Sequence, residues 1–334
     1  MKAFLIRRIL IGLLTIWVIS VISFGIIVLP PGDFAERYGS QLAGRQQIPP
    51  GTPQYQAIVD GLRLQFGLTK PLPLQYVHWA WDMLHGDLGL SQELMMPVTE
   101  VIGDRLLMTI VLAASTILFT WAMAIPIGIY SAVRHNSIGD FAITFVGFIG
   151  LAIPDFLLGL TMLWTIYDHF GVLLDGLFDE RYDRAGWNWP KVWNMFSHLW
   201  VPAVVLGTAG TAGLIRIMRN NLLDELQKPY VVTARARGLP EWKLILKYPV
   251  RVALNPLLSG VGYILPALFS SSIIVSVVLN LPTLGPILLK ALMNEDLYMA
   301  ATVIFMLGVM TVIGMLISDI LLALADPRVK IEST

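Results

Sequence analysis

The sequence predicts an all-α, polytopic membrane protein, and three observations carry that class. Of 334 residues, 56% are hydrophobic and 14% are charged, whereas soluble domains hold nearer a quarter charged residues. The apolar residues fall in blocks of the ~20 residues that a helix needs to cross the hydrocarbon core of a bilayer. The Lys and Arg residues gather in alternate segments between those blocks, as the positive-inside rule requires. Formal net charge is zero, so no global basic bias points to nucleic acid. There are no cysteines, which excludes disulfides, thiol catalysis and cysteine metal sites.

Six runs predict six transmembrane helices: Ile9–Leu29, Met108–Val133, Phe141–Tyr167, Leu199–Met218, Pro256–Asn280 and Ala300–Ala325. The first follows Arg7 and Arg8 and could be read as a signal peptide. It is longer than a signal's ~7–15-residue apolar core and ends in Pro30-Pro31-Gly32-Asp33, so a retained helix fits better. With the N-terminus inside, the inner segments hold Lys2, Arg7, Arg8, Arg134, the eight cations from Arg216 to Arg251, Arg328 and Lys330, fourteen of 23. Fifteen of the 23 acids lie on the other side. Both termini are therefore expected in the cytoplasm. One transmembrane domain is expected over residues 1–334, with extracytoplasmic loops at 30–105 and 168–198 and a cytoplasmic loop at 219–255.

In the first outer loop, "YQAIVDGLRLQFG" sets Ile58, Leu62 and Phe66 at helical spacing and predicts an amphipathic helix. The second carries Trp187, Trp189 and Trp193, which read first as interfacial anchors and second as a substrate platform. Pro126, Pro154 and Pro266 fall inside apolar runs and are expected to kink helices, for packing or around a pathway. "GTAGTAG" in the fourth run puts Ala203/Gly207 and Ala209/Gly213 four apart, a spacing that lets helices approach closely.

Enzymatic chemistry finds no support. Gly-Lys never occurs, so there is no phosphate loop, and H-E-x-x-H is absent. The five histidines lie in loops or near run ends and read as solvated or interfacial. Two acids fall within runs, where a carboxylate is a functional candidate. Asp319 is expected to pair structurally with Arg216 or Arg219. Asp155, after Pro154, either faces a watery cavity as part of a translocation path or caps a broken helix. Pro154, Asp155 and Pro266 are the path candidates.

The segment Lys228–Pro249, "KPYVVTARARGLPEWKLILKYP", is basic and punctuated. Pro229 suits a first helical turn and Gly238 the position past a helix end. Pro240 can start a second helix and Pro249 stop it. The pattern predicts two helices of about nine residues meeting at a Gly-Leu-Pro corner, with Leu226, Val231 and Ala234 on one face and apolar contacts from Leu244 and Leu246. Such a corner suits insertion into a groove of a soluble partner. Attraction to anionic lipid explains the charge but not the Gly and Pro at the helix boundaries.

This stretch resembles the coupling loop of permeases in binding-protein-dependent ABC importers, and within them the dipeptide/oligopeptide/nickel class. That class reads Y-V-x-T-A-R-A-K-G-L where this chain has Tyr230-Val-Val-Thr-Ala-Arg-Ala-Arg-Gly-Leu239. Further matches are Arg7-Arg8, Pro31-Gly32-Asp33, Gly67–Tyr76, Gly86–Ser91, Ile153–Gly159 and Asp326–Arg328. The chain departs at Val232-Thr233, where the broader family has Glu-Ala. It departs again at Tyr248-Pro249 and Arg251-Val252, where the class has a His and an Arg-Asn pair, and at Val277–Gly285, where the class carries an acid. The resemblance implies that Tyr230, Thr233, Ala234, Arg235, Ala236, Arg237, Gly238 and Leu239 contact an ATPase. It implies a second homologous permease (a heterodimer), two ATPase subunits and an extracytoplasmic binding protein as partners, in a bacterial inner membrane. The cargo would be oligopeptide, dipeptide or oligosaccharide. This chain would bind no cofactor, with ATP and Mg used by the ATPases. The rival readings are an ion-coupled secondary transporter, which would show inverted repeats and paired intramembrane charges, and a membrane enzyme.

Overall fold

The computed structural model describes residues 2–29, 34–65, 68–91, 93–183, 186–294 and 296–325. Among them there is no strand, and the helices follow in order: α1 Lys2–Val28, α2 Phe34–Arg45, α3 Pro53–Gln65, α4 Leu72–Leu84, α5 Val98–Val133, α6 Ile138–Ala152, α7 Asp155–Phe170, α8 Glu180–Asp183, α9 Trp189–Leu226, α10 Pro229–Ala236, α11 Glu241–Lys247, α12 Pro249–Ala253, α13 Asn255–Val278, α14 Leu284–Met293 and α15 Leu297–Ala325. Four described helices carry segments long and apolar enough to cross a membrane: Ile6–Val28, Val98–Val133, Trp189–Leu226 and Leu297–Leu324. A fifth span exists if α6 and α7 are taken together. The fifth apolar run, Pro256–Asn280, forms the 24-residue α13.

The third run is not one straight helix. α6 and α7 meet at 99°. Ile153 (φ −83°, ψ 122°) and Pro154 (φ −59°, ψ 135°) are both extended. Proline pushes its predecessor out of the helical region, and two successive extended residues turn the chain. The other two prolines behave differently: α5 runs unbroken through Pro126 and α13 through Pro266.

The chain forms two compact units. The first comprises residues 1–10, 107–286 and 310–334, and the second residues 11–106 and 287–309. In the first, α9 is the hub on which α6, α7, α12 and α13 pack. Its 38 residues extend about 57 Å at 1.5 Å per residue, well beyond a ~30 Å hydrocarbon core. One end of α9 lies in a core of Met195, Leu199, Val205, Leu206, Val275 and Leu279. The "GTAGTAG" stretch makes part of the close contact expected of it. A Cβ on Gly207 would lie 2.6 Å from Phe119 of α5, and one on Gly150 of α6 would lie 3.0 Å from Thr208, whereas Gly213 faces open space.

In the second unit α2 packs on α3 through Ala35, Val59 and Leu62, with Ile58 beside them. Phe66, expected on that face, lies outside the described residues. α4 contributes Trp79 to an aromatic cluster with Phe24, Tyr76 and Phe305. The Gly86–Ser91 motif forms a turn with Gly86 and Gly89 at positive φ, and Asp87 Oδ1 accepts from the Gly89 N–H at 3.0 Å. Ser91 Oγ then donates to the buried Asp296 at 2.5 Å. Asp296 also accepts from the N–H groups of Glu93 (3.2 Å) and Met299 (3.1 Å), which makes it the cap of α15.

Candidate functional site

The corner is built from the residues that punctuate the sequence. Lys228 is extended and precedes Pro229 at the first position of α10, where a missing N–H is harmless. Thr233 Oγ1 donates to the Pro229 carbonyl at 2.9 Å. α10 ends at Ala236 with Arg237 as its C-terminal cap residue, and Gly238 takes φ +76° with nothing within 4 Å of where a Cβ would stand. The glycine is therefore required by backbone handedness, not by crowding. Pro240 is the N-terminal cap residue of α11. The two helices have eight and seven residues, slightly shorter than expected. Pro249 does more than stop the second: it occupies the first turn of a third, α12, which returns the chain to α9.

The inner face of the corner is anchored. Val231, Ala234, Leu244 and Ile245 are buried with Met218 and Leu222 of α9, Ala132 of α5 and Leu257 of α13, and Leu226 and Leu239 pack against this cluster. Each fully buried aliphatic side chain contributes roughly 2 kcal/mol, so the corner is firmly fixed to its base. Leu246, expected to make such contacts, is 53% exposed, and Ile245 replaces it; a seven-residue helix turns only one of the two inward. The outer face presents Tyr230, Val232 (55% exposed), Trp242 (64%) and Leu246. Arg235, Ala236 and Arg237 are exposed beside them.

Two polar contacts shape this surface. Tyr230 Oη donates to Glu225 at 2.5 Å. The Arg235 guanidinium forks onto Glu241, Nη2 at 2.6 Å and Nε at 3.1 Å, bridging the two helices across the glycine. That hydrogen bond, and then the opposite charge, raises Arg235 above its ordinary value. The hydrogen bond from Arg235 holds Glu241 below the usual glutamate range, against a small burial effect and aided by the charge.

The path candidates fall on two elements, the α6–α7 bend and α13. Pro154 and Asp155 form the bend; Pro154 is the cap residue of α7, and half-buried Asp155 stands in its first turn, where an acid complements the helix dipole. Pro266 lies within α13, and its side chain is outside the described residues. The partner expected for Asp319 is corrected: it pairs with Arg8 at 3.2 Å, while Arg219 binds Asp140 and Arg216 lies over the Phe148 ring at 5.1 Å. The pairing depends on helix register across the fold, which sequence separation does not report. His198 is also corrected. It is buried, 3.4 Å from Asp179, and is not solvated. Among the described residues no group of three or more His, Asp or Glu gathers to hold a metal.

A family model described as "Binding-protein-dependent transport system inner membrane component" matches residues 124–331, which include the corner and the bend. The chain belongs to this family. The family's N-terminal model matches residues 1–113. The chain is 34% identical to the oligopeptide transport system permease protein AppB of Bacillus subtilis, over 99% of this chain and 100% of that protein. It is 28% identical to the dipeptide transport system permease protein DppB of Escherichia coli, over 99% of each. It is 27% identical to the peptidoglycan transport system permease protein YejB of Agrobacterium fabrum, again over 99% of each. As a member of this transport family the chain is a multi-pass inner-membrane permease component of an ABC importer, not an enzyme. Its family functions with a binding protein.

Proposed function

We propose that the chain is one of two homologous permease subunits, paired as a heterodimer, in an importer that carries peptides into the cytoplasm. In this reading the chain crosses the membrane six times, with both termini and the 219–255 loop in the cytoplasm and the 30–105 and 168–198 loops outside. An extracytoplasmic binding protein delivers the peptide, and two ATPase subunits hold ATP and Mg. The observation that carries this reading is the corner itself. Val232, Trp242 and Leu246 form an exposed apolar face on a base whose opposite face is buried in the α5, α9 and α13 core. Exposed aromatic and aliphatic anchors beside arginine are what a docking surface offers. Peptide as the cargo is supported by the names of the relatives.

Mechanically, closure of the ATPases on ATP displaces Tyr230, Thr233 and Arg235–Leu239 as one rigid piece. The movement passes into α9 through Met218 and Leu222, and the α6–α7 bend at Pro154–Asp155 and the α13 segment around Pro266 line the pathway that opens. The test is purification of the tagged chain from its own membranes in mild detergent, followed by peptide uptake in proteoliposomes. Co-purification of a second permease and an ATPase, with ATP-dependent uptake, is expected. A chain that emerges alone and moves solute on an ion gradient would overturn the reading.

A further inference from the structure

One ion pair outside the corner ties α6 to α9. Asp140, at the start of α6, is 2% exposed. Arg219 of α9 forks onto it, Nε to Oδ1 at 2.9 Å and Nη2 to Oδ2 at 2.8 Å. Ser131 of α5 donates to Oδ1, and the Asn136 N–H donates to Oδ2 at 3.0 Å. Asn136 reaches this position at φ +60°. Both carboxylate oxygens are thus saturated, the condition under which a buried charge pair is tolerated.

The placement gives the pair its meaning. From Asp140/Arg219, α6 and α9 run antiparallel with their backbones close. A Cβ on Gly147 would be 3.7 Å from the Ala212 Cβ, and one on Gly150 would be 3.0 Å from Thr208. Seven residues forward on α6, from Asp140 to Gly147, match seven back on α9, from Arg219 to Ala212, and the next three match four. α6 itself ends at Ala152, just before Ile153–Pro154, where the chain turns by 99°. In the other direction, the corner begins ten residues after Arg219, and its apolar cluster includes Met218, the residue before it. Arg219 therefore stands between the corner and the bend, on the helix that links them.

We propose that Asp140 and Arg219 are positioning residues that lock α6 to α9, so that displacement of the corner reaches the bend without slippage. Buried ion pairs are weak sources of stability and are better attested as devices that fix register, and this pair fixes the register of the transmitting helices. The inference rests on the corner being the ATPase contact.

The test uses the assembled transporter with its co-purified partners. Asp140→Asn should raise the ATP hydrolysed per solute imported by about tenfold, with Arg219→Lys less affected. Because the chain has no cysteine, the contact can be replaced by a covalent one. The 3.7 Å separation of Gly147 and Ala212 falls within the ~3.5–4.5 Å of a disulfide. Oxidised Gly147→Cys/Ala212→Cys should leave import intact in the otherwise native chain and restore it to Asp140→Asn, and reduction should reverse the rescue. If the oxidised crosslink blocks import in the otherwise native chain, the helices must separate and the lock is refuted, even where Asp140→Asn does not assemble. A variant whose hydrolysis and import fall in step with the amount of complex would also refute it. Absence of an ATPase from the native preparation would instead overturn the parent reading.

Discussion

The Pro229–Ala253 corner and the Gly86–Pro97 turn of the second unit are both short and both turn on glycines at positive φ, yet they are held by opposite means. The corner rests on apolar burial, and the Arg235–Glu241 pair that bridges its helices is exposed. The turn rests on a buried polar network around Asp296. Gly238 faces open space, whereas a Cβ on Gly89 would lie 2.8 Å from the Tyr298 ring. The difference separates a surface kept free for a partner from a joint closed on itself.

Asp296→Ala should have the largest effect. It strips partners from Ser91, Glu93 and Met299 and removes a helix cap, a loss of about 3 kcal/mol, read as a lowered unfolding midpoint in detergent. An unchanged midpoint would mean that the turn is anchored elsewhere. Next, Gly89→Ala adds a ring collision to backbone strain and should cost about 2 kcal/mol; Tyr298→Leu in the same chain should recover the collision's share. Gly238→Val carries the strain alone, about 1–2 kcal/mol, so the chain should insert normally and lose uptake through a misdirected corner. Gly238→Asn, which tolerates this conformation, should import nearly as the native chain does. If Asn fails as Val does, a partner surface fills the open space and the contrast between the two glycines narrows.

The smallest effect is expected from the Arg235–Glu241 pair. Both groups are exposed, and such pairs add little. Glu241 is held below its ordinary value, so whatever it contributes is fully present above the unfolded glutamate value and is lost as pH falls through the lower folded value. At neutral pH, Glu241→Gln should leave the amount of assembled complex unchanged. A clear loss would show that the bridge matters to the docking face.

What was legible in the sequence follows the same division. The corner was readable because Pro229, Gly238 and Pro240 act on their own neighbours through backbone geometry. Its burial was readable only in part, since Val231 and Ala234 follow helical spacing but Ile245, rather than Leu246, turns inward. The bend was expected as a kink, and its 99° came from Ile153 joining Pro154 in an extended conformation. The charge pairs were the least legible. Asp140 sits one residue before the apolar run that begins at Phe141, so it did not register as a membrane carboxylate. Its partner is 79 residues away and Ser91's is 205 away. Pairings at that range are set by helix register, which the local pattern does not encode. The sixth run, Ala300–Ala325, agrees closely with α15 because a long uniform apolar stretch has one solution. The fourth extends to 38 residues because Met195 before the run and Leu222 after it are buried in the apolar clusters at its two ends.

The most direct test of the corner as the ATPase contact is a single cysteine at Val232, unique in a chain without cysteine. It would carry a short photo-activated crosslinker in native membranes, with Val231→Cys as the buried control. Crosslinking from position 232 to an ATPase subunit, changed in yield when ATP is added and absent from position 231, is the expected result. Crosslinks from position 232 to lipid alone, with or without ATP, would contradict it.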